Sequence, residues 1–531
     1  MLRLIFAFGC AATLVAAPSI TQVVNAAAWL PPGLPNSGIA QGAFFTIKGG
    51  GLGPATLVEA TSYPLPTTQG LGGTTVQVTV GGVTENCIMY YASNAQVAGI
   101  VPSATPVGTG TITVSYQGSQ ASAPIVVQSA NFGTFTLNQG GSGPAVVTDA
   151  NYNVLTMINA AHPGDTVVLW GTGLGAVSGD ETEPPTQVDL GTGVQVFVGN
   201  QPAVVTYGGR AAFSGEDQID FVIPSGVVGC KTSLAVLVKG VTGNVTTFSV
   251  APPGQTTCGD SYDDLTAANL QTAINAGHFS IGNVSLSRVA GLNDVLVAGY
   301  ADFTLSSLLA SFGGFLGPSV GSCLAYEVSG TVLLVTDPVK PTFLDGGPSL
   351  TLTGPQGTKV MPATSTGNYS GTLAVEPSIF IAPGNFTATN GAGGAGVGAF
   401  NWSLTLPPYV QPTNLPSSVN LSQDLTLTWN GGSAYPIVSV FGFNGVAIGG
   451  GQGAFVEFIC TAEGSAGTFT VPSVILNLLA PEGDGLPGQP GVELQIAGVA
   501  SSTFTVAGSP GLDAGVFSAF VGSGQVARIV P

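Results

Sequence analysis

Charge is what this chain has least of. Asp, Glu, Lys and Arg make up 7% of its 531 residues, with 9 basic against 27 acidic residues and a formal net charge of −18. So few basic side chains cannot build a stripe that neutralises phosphates, and no nucleic-acid partner is expected. Histidine is nearly missing (2), and the 6 cysteines are scattered. A zinc site needs ligands clustered at short spacing, so zinc chemistry is excluded and no cofactor is expected. No stretch beyond the N-terminus reaches the ~18 apolar residues that a membrane-crossing helix needs, so no transmembrane span is expected. Scarce charge does not mean disorder here. Hydrophobic residues are 44% of the chain, whereas disordered segments are poor in apolar residues.

What is abundant is glycine (79) and proline (37). They punctuate short alternating runs rich in Val, Thr and Ile: TTVQVTVGG (74–82), TITVSYQG (111–118), VQVFVGN (194–200) and LAVLVKG (234–240). Alternation with period two, bounded by turn residues, predicts half-buried antiparallel strands packed as sandwiches. The expected fold class is all-β, as tandem immunoglobulin-like β-sandwiches.

A repeat supports that reading. FFTIKGGGLGPA (44–55) aligns with TVVLWGTGLGAV (166–177), an offset of 166 − 44 = 122 residues. At the same offset NAQVAGIVP (94–102) meets EDQIDFVIP (216–224), and Gly118 falls on Gly240. Each copy has its own alternation and can bury its own core, so the copies are expected to behave as beads. Past Cys258 the pattern changes. Leu270, Ala273 and Ile274 in 263–277, and Leu305, Leu308, Leu309 and Phe312 in 304–312, fall at helical spacing, which predicts two short helices. Strands then resume, and PPYVQPTNLPSS (407–418) reads as a linker. The expected division is a leader at 1–17, sandwiches at 18–130 and 131–258, a β-rich domain with short helices at 259–410, and a C-terminal sandwich at 411–531. A single large sandwich over 259–531 is the alternative.

The leader expectation rests on Arg3 followed by an apolar run from Leu4 to Ala17, with small residues at a cleavage point after Ala16. An exported chain can form disulfides. Cys230 with Cys258 is the expected pair, and Cys323 with Cys460 the second. A bridge closing the first loop contributes ~3 kcal/mol by loop entropy. Cys87 is left over, as a buried free thiol or a bond to another chain.

The Gly-Leu-Gly turns resemble a phosphate loop, but no helix follows them, so they read as turns. His162 and His278 are candidates for a catalytic triad, although no Gly-x-Ser-x-Gly elbow accompanies them. Asp180, Glu181 and Glu183 with Asp189 are a calcium candidate, set against a solvated acidic loop, which is preferred. Glu216, Asp217 and Asp220 read as surface charge rather than a glycosidase pair. Trp402 and Trp429 are the candidates for stacking on sugars, with core packing as the alternative for strand tryptophans. No catalytic residue is assigned.

Residues 20–54, ITQVVNAAAWLPPG through GIAQGAFFTIKGGGLGP, resemble the opening of IPT/TIG-like immunoglobulin modules. NAAHPGDTVVLWGTGLG (159–175), VQVFVGNQPAVVTYGGR (194–210) and DQIDFVIPSGVVGC (217–230) resemble the Solibacter-type C-terminal module of secreted acidobacterial proteins. The first copy departs in having Lys48 and Gly50 where the second has Trp170 and Thr172. The resemblance implies an exported β-sandwich protein, secreted or held at the cell surface, and no catalytic residue. The expected function is non-enzymatic: adhesion, binding or a structural role outside the cell. The expected partners are an extracellular protein or polysaccharide, with self-association through edge strands. A carbohydrate-binding accessory protein, and a secreted hydrolase with its site in 259–531, are the alternatives.

Overall fold

Alternation becomes two-layered packing in the first copy. In strand Phe44–Gly50, Phe45 and Ile47 turn inward, while Phe44, Thr46 and Lys48 face away from the core. A computed structural model describes residues 17–260, 262, 266–289, 293–311, 317–330, 339–449, 451–486, 488–506 and 511–530. The expected leader, apart from Ala17, lies outside these residues, and so does Phe312. One five-stranded sheet of the first unit runs Ser19–Asn25, Phe44–Gly50, Gln96–Ile100, Ile88–Ala92, Val58–Glu59. The other runs Ile39–Ala40, Ser119–Gln128, Gly108–Tyr116, Thr74–Val80, Val83–Asn86. Phe45, Ile47, Met89 and Val97 meet Val76, Val78, Ile112 and Val127 between the layers. The chain crosses from one layer to the other at Cys87, which is buried and unbridged.

The second unit repeats this plan in the same register. Phe44 faces Ile100 and Lys48 faces Gln96 in the first; Thr166 faces Val222 and Trp170 faces Gln218 in the second. A bulge interrupts the neighbouring pair at Met89/Tyr91 and again at Val205/Tyr207. Both copies close their last long hairpin through a turn with left-handed backbone at a non-glycine residue, Gln117 (φ 48°) and Lys239 (φ 49°). Each is followed by a left-handed glycine, Gly118 or Gly240, the pattern that matches strand twist in two-residue hairpins. Strand Gln201–Arg210 pairs with Val194–Val198 at one end and Asp217–Val222 at the other, and so links the two layers.

The remainder is organised differently. Sixteen strands form one sheet, in which Cys323–Gly330 pairs with Gln452–Glu463 and His278–Val289 runs parallel to Leu512–Val530. Strands from both sides of residue 410 pair within it, so it spans the boundary expected there. The sheet curls until Trp402 lies on Phe504, their ring centroids 3.3 Å apart. Helix Ala267–Ala276 is capped by Thr266 Oγ1, which accepts from Asn269 N–H, and by left-handed Gly277. It starts later than 263 and buries Leu270 and Ala273. Helix Leu305–Ala310 buries Leu308. A third, Ser473–Leu476, follows Pro472 and went unpredicted. Both expected disulfides are present, Cys230–Cys258 and Cys323–Cys460.

The units are not beads. Leu34, from the 26–38 loop of the first unit, sits in the core of the C-terminal sheet. Asn36 of the same loop lies beside Glu327, whose carboxyl burial pushes up to about 8 against the pull of that amide. Between the second unit and the C-terminal sheet, Ser233 N–H donates to Ser322 Oγ at 3.2 Å and Lys231 N–H to Ser319 Oγ at 2.9 Å. Buried backbone groups need partners, and here the neighbouring unit supplies them.

Candidate binding cleft

The joint between the two copies holds the least expected chemistry. Asp217 is fully buried, not on the surface. Its Oδ2 accepts from Gly173 and Leu174 N–H at 2.7 and 2.8 Å, so the amides of the Gly-Leu-Gly turn are spent on an internal carboxylate. Gly173 (φ +115°) cannot be replaced there, because a Cβ would stand 2.1 Å from Asn131 O. Arg210 pairs with Asp217 at 3.3 Å. It also donates through Nη1 to Gly42 O of the first unit at 3.0 Å and through Nη2 to Gly175 O at 3.2 Å. Thr172 Oγ1 accepts from Phe44 N–H at 2.9 Å and donates to Gly215 O at 2.6 Å. Asn131 Nδ2 donates to Asn36 O and Gly38 O at 2.7 and 2.5 Å.

Beside this joint a cleft of about 500 Å³ opens between the units. Its first-unit wall is the outward face of strands Phe44–Gly50, Ile88–Ala92 and Gln96–Ile100, which presents Phe44, Tyr90, Tyr91 and Gln96. Its second-unit wall comes from Phe135, Gln139, Phe213 and Glu216. Phe213 and Glu216 belong to the 211–216 connector, which in the first copy is only 93–95. The longer connector reaches the first unit. Ser214 N–H donates to Tyr63 Oη at 3.3 Å, and Gly215 packs against Ile100 and Phe44.

Two aromatic side chains at this cleft are held out in solvent: Tyr90 is 46% exposed and Phe213 63%. Phe44 packs edge-on to Tyr90, centroids 5.3 Å apart. Trp29, on the same cleft, has left-handed backbone (φ 57°), an uncommon state for a bulky residue. Asn25 holds that turn: its Oδ1 accepts from Ala27 and Ala28 N–H, and its carbonyl accepts from Trp29 N–H at 3.1 Å. Lys48 Nζ lies 4.0 Å over the Trp29 ring. Tyr91 and Gln96 hydrogen-bond to each other. Burial, and then the neighbouring Asp217, push the Glu216 carboxyl up to about 7.

The expected candidates fall elsewhere. Trp402 is 5% exposed, between Phe400 and Phe504, and Trp429 is 3% exposed. Alternation puts both on the core face, so neither offers a ring to a sugar. The acidic residues of 180–189 are engaged separately by hydrogen bonds. Asp180 Oδ1 accepts from Thr182 N–H, Asp189 Oδ1 accepts from Gly191 N–H, and Glu181 accepts from Ser103 N–H and Oγ at 2.7 and 2.8 Å across the joint. Glu183 lines a separate surface hollow with Asp180 and Glu181. Among the described residues no three His, Cys, Asp or Glu side chains gather as a metal would require.

His162 is tied to Asp165 at 3.2 Å and to Gln255 O at 2.7 Å. His278 Nδ1 sits 2.9 Å from Asp302, whose hydrogen bond and charge raise the imidazole pKa. The sequence does hold the elbow spacing once, Gly-Pro-Ser-Val-Gly at 317–321. Ser319 there is fully buried, donates to Asp260 Oδ2 at 3.0 Å, and is followed by a strand rather than a helix. It braces the joint to the C-terminal sheet. Sequence reasoning missed Trp29, Tyr90 and Phe213. The signals were present: adjacent Tyr90-Tyr91 break the alternation of their strand, and Phe213 stands alone in a Gly/Ser connector.

No protein-family model and no curated protein matches the chain. Solved structures that align with it include the Bacteroides ovatus mixed-linkage glucan utilization locus protein SGBP-B in complex with a heptasaccharide, at 13% identity over 86% of this chain and 92% of that one, TM-score 0.13. Sidekick-1 immunoglobulin domains 1–4 align at 9% identity over 97% and 99%, TM-score 0.13. The N-terminal four immunoglobulin domains of Dscam1 isoform 1.9 align at 9% over 97% and 100%, TM-score 0.12. At these scores the fold assignment rests on the strand pairing described above.

Proposed function

We propose that this is a non-enzymatic binding protein that works outside the cell and takes its ligand in the cleft between the two repeat copies. The observation that carries this reading is the cleft itself: exposed Tyr90 and Phe213 from different units face one opening of about 500 Å³. Large aromatic groups kept in solvent at a concave site are what binding surfaces enrich and what folding alone disfavours. Two disulfides fit an oxidising compartment. The family resemblance of residues 20–258 and export through a leader belong to the same proposal.

The test uses the labelled full chain on insoluble cell-envelope material that carries both glycan and protein. The double variant Tyr90→Ala/Phe213→Ala is expected to lose most retention with an unchanged melting curve, since both side chains are exposed. Retention equal to that of the parent would remove the cleft from the function. Self-association is a separate proposal, from the short edge strands Val58–Glu59 and Val83–Asn86. Light scattering that reads a monomer at all concentrations would end it.

A further inference from the structure

We infer that the cleft's ligand is a neutral oligosaccharide segment of a polysaccharide. This rests on the reading of the cleft as the binding site and names its ligand class. Three features of the site select that class.

First, its large apolar side chains are all aromatic: Trp29, Phe44, Tyr90, Tyr91, Phe135 and Phe213. Tyr90 and Phe213 come from different units, and amide and hydroxyl side chains line the same cleft. A lipid would need a closed aliphatic pocket, whereas a sugar ring offers an apolar C–H face to an aromatic ring and hydroxyls at its edge.

Second, apart from Glu216 the polar side chains at the cleft are amides and hydroxyls: Thr46, Tyr90, Tyr91, Gln96, Thr136 and Gln139. Each can both donate and accept, which is what a hydroxyl partner requires.

Third, the charges argue against an ionic ligand. Glu216 is the one ionic side chain among the lining residues, and Asp217 behind it is buried and already paired with Arg210, so the cleft presents no cluster of charge to an ionic ligand. The cleft is also open to solvent, so a polymer can lie in it without its ends being enclosed.

The experiment is calorimetric titration of the full chain with four probes: cellohexaose and mannohexaose as neutral chains, a galacturonic-acid hexamer as the anionic chain, and choline as the cation. At least one neutral hexasaccharide is expected to bind. Phe213→Ala and Tyr90→Ala are each expected to weaken that binding by about tenfold, the scale of one lost aromatic contact. Gln139→Ala is expected to weaken it by a few-fold. Binding of the anionic hexamer or choline in place of the neutral chains overturns the inference. So does absence of binding by either neutral probe while the Tyr90→Ala/Phe213→Ala variant still loses retention on envelope material. In that second case the cleft remains the binding site and its ligand is of another class, such as an extended protein segment. If the double variant loses nothing in either assay, the reading of the cleft fails as well.

Discussion

The two copies of the repeat share strand order, register and even the position of a bulge, yet the same end of the sandwich does opposite work in each. In the second copy the Gly-Leu-Gly end is buried by the first unit, and it carries Thr172, Arg210 and Asp217. In the first copy the matching positions of Thr172 and Asp217 are Gly50 and Ala95, and Ala95 is exposed. The scaffold was set by alternation and turns. The joint was set by a few polar side chains that satisfy backbone groups across it. The lesson is that a repeat unit becomes part of a rigid pair only where the neighbour meets its buried donors and acceptors. The same device recurs in the C-terminal sheet. There Asp294 accepts from Phe380 and Ile381 N–H at 2.7 and 2.8 Å while pairing with Arg288.

The sharpest way to break the comparison is Asp217→Ala. It orphans two buried amides and leaves the Arg210 guanidinium without its counter-charge, a loss of about 3–5 kcal/mol. The reciprocal Ala95→Asp in the first copy is expected to change stability by less than about 0.5 kcal/mol. Urea unfolding of both variants checks the pair, and equal effects would mean that the joint is not what distinguishes the copies. Next in size is Thr172→Gly, which gives the second copy the first copy's residue. It leaves Phe44 N–H without its Thr172 acceptor and adds glycine's entropy, together about 2 kcal/mol.

These asymmetries also mark how far the sequence could be read. Period-two alternation was enough to reveal the sandwiches, because in a sheet the face of each residue follows from its parity alone. Cys230 and Cys258 were legible because they bracket the last strands of one unit. The sheet that spans residue 410 was not, since the parallel pairing of His278–Val289 with Leu512–Val530 joins segments far apart in the chain, and no local pattern encodes it. The cleft was hidden for a related reason. Its walls come from different units, so Tyr90 and Phe213 look like isolated surface aromatics until the joint brings them together. Asp217 misled in the opposite direction: beside Glu216 and Asp220 at a strand entrance it reads as surface charge, yet it is buried against Arg210 and the Gly-Leu-Gly turn.

A subtler contrast between the copies lies in pH. Glu216 sits in the connector that is shorter in the first copy, and its carboxyl is held near 7 instead of the ordinary 4.5. The folded chain therefore keeps this proton over a window in which the unfolded chain has lost it. Stability from this group is complete below about 4.5 and is lost as pH rises through about 7. Because the side chain is partly open to water, the effect is expected to be only about 1 kcal/mol. Glu216→Gln removes the titration and is expected to flatten the drop in melting temperature between pH 5 and 8, leaving the contribution of Glu327, which follows the same sign with its carboxyl near 8. An unchanged profile would mean that water reaches Glu216 freely. The 211–216 connector would then lie more loosely on the first unit than Gly215 against Ile100 requires.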